Sequence, residues 1–137
     1  MTTGLLLSDD LIFSSKVTGT ARAVGADVAV ARTWSRFLTL LGERTPDGLL
    51  LDLNHAELNL PELTATLALR DAPPRTLGFG SHVDTLSLKA ARAAGIERVM
   101  PRSRFVVQLE ADLLTWLTIH PERGEANAVH EDAGSGE

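Results

Sequence analysis

Cysteine is absent from the 137 residues, which excludes disulfides, thiolate metal sites and a cysteine nucleophile together. Aromatic residues are scarce, at 4%, and no basic stripe runs along any segment. The chain therefore lacks both the stacking platform and the electrostatic footprint of a nucleic-acid binder. No apolar run approaches the roughly 20 residues of a membrane span, and no basic start leads into an apolar stretch and cleavage site. We accordingly expect a cytoplasmic chain that contacts neither nucleic acid nor membrane.

What remains is the balance of an ordinary folded domain, with 44% apolar and 23% charged residues in a length suited to one hydrophobic core. The net charge is unevenly spread. The closing stretch "HPERGEANAVHEDAGSGE" holds five acids against one arginine, about −4 of the net −5. Its richness in Gly, Ala and Glu without an apolar period predicts a disordered acidic tail over 120–137, after a single domain over 1–119.

Within that domain, short apolar runs alternate with segments of helical period. Strands are expected at 4–8, 27–31, 48–53, 76–80 and 97–100. Several are apolar at consecutive positions, as suits central strands of a parallel sheet covered on both faces. Between them, Phe13, Val17, Ala21 and Val24 mark a first helix closed by Gly25. Thr33 is placed to cap a second, carrying Trp34, Phe37, Leu38 and Leu41. A third opens near Pro61, a fourth closes at Gly95, and Ser103 is placed to cap a fifth that Pro121 ends. The alternation amounts to five βα units.

In such a sheet, ligands bind beyond the carboxyl ends of the strands. There the first strand releases Asp9 and Asp10 side by side, and the third ends in Asp52 with Asn54 two residues on. Three carboxylates brought together repel, so they retain a proton or bind a cation, and Mg2+ suits an oxygen-rich cluster. Each acid also has an ordinary explanation, Asp9 or Asp10 as a helix cap and Asp52 with Asn54 as a turn.

The acid pair, the lone acid closing the third strand, the Asp-x-Asn spacing and the five-fold alternation resemble the receiver domain of two-component response regulators. The resemblance covers about residues 4–119. It implies a flavodoxin-like (βα)5 three-layer α/β sandwich, with a parallel sheet in the order 2-1-3-4-5. It also implies that Asp52 accepts a phosphoryl group from a histidine kinase. Asp9, Asp10, Asp52 and the Asn54 carbonyl would then hold Mg2+.

Other parts of the family pattern are changed. Where receivers carry a hydroxyl at the end of the fourth strand, this chain has Gly80, with Ser81 one residue late. At the lysine position of the fifth strand stands Arg102 after Pro101, or Met100 if the frame is shifted to match the proline. Val99 replaces the switch aromatic.

The leading expectation is thus a stand-alone, atypical receiver that signals through protein–protein contact, with phosphorylation at Asp52 whose readout is altered or lost. Its partner would be a histidine kinase, another protein, or a second copy meeting it through the fourth and fifth helices. One alternative is a fully working Mg2+-dependent phosphoacceptor using Ser81 and Arg102. Another is a small Mg2+-dependent phosphohydrolase, disfavoured because no lid, second domain or general acid is evident, so we expect no enzyme. "GFGSHV" lacks the third glycine of a dinucleotide loop. Of the two loop histidines, His55 is better placed than His82 to modulate the pocket, and Trp116 belongs to the core or to a docking face.

Overall fold

The structure, a computed structural model, describes residues 1–118, so the expected tail and the stop at Pro121 lie outside the described residues. Five strands alternate with five helices: β1 Thr3–Leu7, α1 Leu11–Ala23, β2 Asp27–Ala31, α2 Trp34–Glu43, β3 Gly48–Asp52, α3 Leu60–Ala68, β4 Arg75–Gly80, α4 Thr85–Ala93, β5 Arg98–Pro101 and α5 Arg102–Leu114. A short 3-10 turn, Trp116–Thr118, follows. All strand pairs are parallel and the order is β2-β1-β3-β4-β5, as expected.

Because side chains alternate across a strand, the apolar runs feed two cores at once. Leu5, Leu7, Leu49 and Leu51 pack with Phe37, Leu41, Leu63 and Leu88 on the α2–α4 side. Leu6, Leu50, Leu77 and Phe79 pack with Phe13, Val17, Phe105 and Leu109 beneath α1 and α5. Every residue of β3 is buried, which explains why "GLLLD" shows no alternation of polarity. Each leucine so buried contributes about 2 kcal/mol from apolar transfer.

Local signals set the helix ends. The Thr33 hydroxyl accepts the Arg36 amide, and Asp10, Asn59 and Asp84 cap α1, α3 and α4 in the same way. Gly25 and Gly95, after α1 and α4, take positive φ values of 79° and 95°, where a Cβ would be strained. Ser103 does not cap α5. The helix starts at Arg102 directly from the last residue of β5, with Pro101 as a cap that offers no side-chain acceptor. A strand entering a helix without a loop leaves Ser103 already one turn position inside it. Trp116 is buried, with the guanidinium carbons of Arg75 and Arg98 5.0 and 4.5 Å from its ring centre, so it belongs to the core.

Candidate functional site

The strand registers bring three side chains to one point at the carboxyl edge. Asp52 ends β3 opposite Phe79 of β4, and Gly80 stands opposite Pro101 of β5, so Arg102 emerges level with them. Asp52 is buried, its side chain only 5% exposed. One of its oxygens, Oδ1, accepts the Asn54 amide at 2.9 Å, while Oδ2 meets Arg102 Nη2 at 3.3 Å. Asp10 Oδ1 accepts the Phe13 amide at 2.9 Å as the cap of α1, and its Oδ2 faces Arg102 Nη1 at 3.4 Å. One guanidinium therefore spans both acids.

That guanidinium rests on an aromatic shelf. Its central carbon lies 4.3 Å from the Phe13 ring centre and 5.7 Å from that of Phe79. Phe79 is in turn stacked on Phe105, with centroids 4.5 Å apart and planes 15° from parallel. The two acids sit in contrasting surroundings. Burial pushes the Asp52 carboxyl above its ordinary value, against the opposing pull of the Asn54 amide and Arg102. The Phe13 amide, and then Arg102, hold Asp10 below it.

Asn54 does more than turn the chain. Its side-chain Oδ1 accepts the Ser81 amide at 2.8 Å, and its Nδ2 donates to Asp84 Oδ2 at 2.6 Å. The same Asp84 oxygen accepts the Ser87 hydroxyl at 2.7 Å. This web ties the β3–α3 loop to the start of α4. It depends on Gly80, where a Cβ would stand 3.1 Å from Asn54 Oδ1. Ser81 is exposed, and its hydroxyl oxygen accepts the Val83 amide at 3.4 Å within its own loop. Val99 is buried in the α2–α4 core and Met100 beneath α1 and α5, which leaves Arg102 as the cation at this edge.

Asp9 is exposed and borders a shallow groove with Arg32, Thr33, Arg36 and His55. His55 is buried rather than solvated. Its Nδ1 accepts the Glu57 amide at 3.1 Å, so the ring proton sits on Nε2, 2.9 Å from the Arg32 carbonyl. The ring fastens the β3–α3 loop to the end of β2. Glu57 in turn accepts the Trp34 amide at 3.0 Å at the start of α2. His82 is exposed.

Of the expected Mg2+ set, Asp10 and Asp52 meet at Arg102, Asp9 is exposed beside them, and the Asn54 amide faces Asp52. No group of three or more His, Asp or Glu side chains able to hold a metal forms among the described residues. Asp10 and Asp52 converge on Arg102, with the charge of Asp9 also acting on Asp52, and all four oxygens of the first two already meet donors, two of these on a charged guanidinium. A divalent cation between them would meet that positive charge at contact distance, so the arrangement as folded does not fit one.

Sequence reasoning missed Phe13, Phe79 and Phe105 as the shelf and Asp84 as the anchor of Asn54. Asp84 opens "DTLS" ahead of a helical segment, a capping signal that locates it. Phe13 reads only as part of a helical stripe and Phe79 as part of a strand, and Phe105 carries no signal of its own.

No family model matches the sequence, and no curated protein does. Solved structures share the fold. A response regulator receiver protein from Burkholderia phymatum is 20% identical, with TM-score 0.72, over 87% of this chain and 97% of its own. The signal receiver domain of a DNA-binding response regulator from Colwellia psychrerythraea is 16% identical, with TM-score 0.73, over 87% of this chain and all of its own. A response regulator protein from Burkholderia pseudomallei, solved with a phosphorylated aspartic acid, a calcium ion and citrate, is 18% identical. Its TM-score is 0.71, over 100% of this chain and 76% of its own. At such identities the likeness establishes the receiver fold.

Proposed function

We propose that this receiver-fold chain is a signalling module acting through protein–protein contacts, in which Asp52 accepts a phosphoryl group slowly and its phosphorylation is read out differently from the family pattern. The observation that carries this reading is the engagement of both Asp52 oxygens, by the Asn54 amide and by Arg102. For Asp52 to attack a phosphodonor, Oδ2 must first leave the guanidinium. Once formed, the phosphoryl group would keep Arg102 as its counter-charge. On β4, however, Gly80 has no hydroxyl to draw toward it, and Val99 has no ring to reorient.

The proposal is of a binding module rather than an enzyme. Apolar side chains are left exposed on α4, at Leu86, and on α5, at Val107 and Leu114, and these support docking of a protein partner or a second copy through those helices. A histidine kinase is the proposed phosphodonor. Arg102 in the pocket favours a second reading, a fully working phosphoacceptor, but Ser81 is exposed and its hydroxyl oxygen faces the Val83 amide of its own loop.

Incubation with acetyl phosphate and Mg2+, followed by intact-mass measurement, separates the two. We expect a small, slowly growing phosphorylated fraction that is absent from Asp52→Asn. Rapid, near-complete labelling would contradict the altered reading, and labelling of Asp52→Asn would remove Asp52 as the acceptor.

A further inference from the structure

We propose that Arg102 takes the place of a divalent cation in the acid pocket, bridging Asp10 and Asp52 so that part of their charge is offset from within. The starting point is electrostatic. Two carboxylates facing the same small space need a cation, and one is already present in the chain. The planar fork of the guanidinium gives one nitrogen to each acid, Nη1 to Asp10 and Nη2 to Asp52, at 3.4 and 3.3 Å. A lysine ammonium is a point charge on a shorter stem. It would pair with one acid and leave the other exposed to a metal.

Several features fix the fork there. Arg102 is the first residue of α5, joined without a loop to a strand whose end is registered against Gly80. Phe13 and Phe79 lie under the guanidinium, and both are buried. Phe13 belongs to the first turn of α1, which Asp10 caps, so the acid and the aromatic surface are positioned by one helix start. The remaining oxygen of each acid is held by a backbone amide, which sets the orientation of both carboxylates toward the arginine.

The consequence is a pocket whose geometry does not respond to Mg2+. Its converse is sharper: taking the guanidinium away leaves two oriented carboxylates without a counter-charge, and so creates a cation site. The inference goes beyond the proposed function, because it needs neither phosphodonor nor partner and can fail while that function stands.

The test is calorimetric titration of the full chain with Mg2+ and with Mn2+, without phosphodonor. Wild type is expected to show no saturable binding up to millimolar metal, and Arg102→Ala to bind one ion per chain. The double variant Arg102→Ala, Asp52→Asn should lose that binding again. If Arg102→Ala fails to fold, judged by circular dichroism, Arg102→Lys serves instead and is also expected to bind. Saturable binding by wild type as tight as the variant's would overturn the proposal. So would a folded Arg102 variant that binds no metal.

Discussion

Asp52 and Asp10 flank the same guanidinium, yet their carboxyls are displaced in opposite directions. For Asp52 the larger influence is burial, which raises its pKa above the ordinary 3.8. A raised folded-state pKa contributes stability below the unfolded value, and that contribution is lost as pH rises through the folded one. At neutral pH the ionised Asp52 therefore weighs against the fold. Asp52→Asn should unfold at a higher temperature than wild type at pH 7, with the difference vanishing below pH 3.8. Arg102 is partly exposed and keeps Asp10, so its loss of one partner subtracts little. Melting curves across pH check this, and an Asp52→Asn protein less stable than wild type at pH 7 would refute it. Asp10 and Asp52 were legible in the sequence because each follows or ends an apolar run, and Arg102 because it falls at the lysine position of the receiver pattern. The amide of Asn54 was not, since its partners Ser81 and Asp84 lie on another strand's loop.

At the scale of elements, the strands were readable as apolar runs and fall within a residue of their expected bounds. The join between β5 and α5 was not readable, because nothing in "VMPRSRF" distinguishes a strand passing straight into a helix from one followed by a loop. The loops depend on close packing that composition does not reveal. Gly78, in the middle of β4, faces Leu53 just beyond β3, and a Cβ there would approach Leu53 Cδ2 to 2.9 Å. Leu53 is itself buried, so it has little room to retreat. Gly78→Ala should therefore destabilise the protein by about 1–3 kcal/mol, the usual penalty of overpacking, measured by urea unfolding. A neutral effect would mean that the β3–α3 loop gives way. That would in turn disturb the Asn54 amide at Asp52.

For the whole molecule, the alternation of runs and helices, together with the receiver resemblance, was enough to place five strands in order and to point to one sheet edge. What it could not supply was the bridge. Arg102 and Asp10 are 92 positions apart, and whether a fork reaches both acids depends on how α1 and α5 pack on the same face of the sheet. The sequence suggested an acid cluster awaiting a metal, whereas the folded chain presents two acids and an arginine already joined. The most direct test of that assembly is a crystal structure of the protein grown in millimolar Mg2+. The account predicts the Arg102 guanidinium between Asp10 and Asp52, lying over Phe13, with no cation in the pocket. A six-coordinate ion bound to the two aspartates, with Arg102 swung out to solvent, would contradict it.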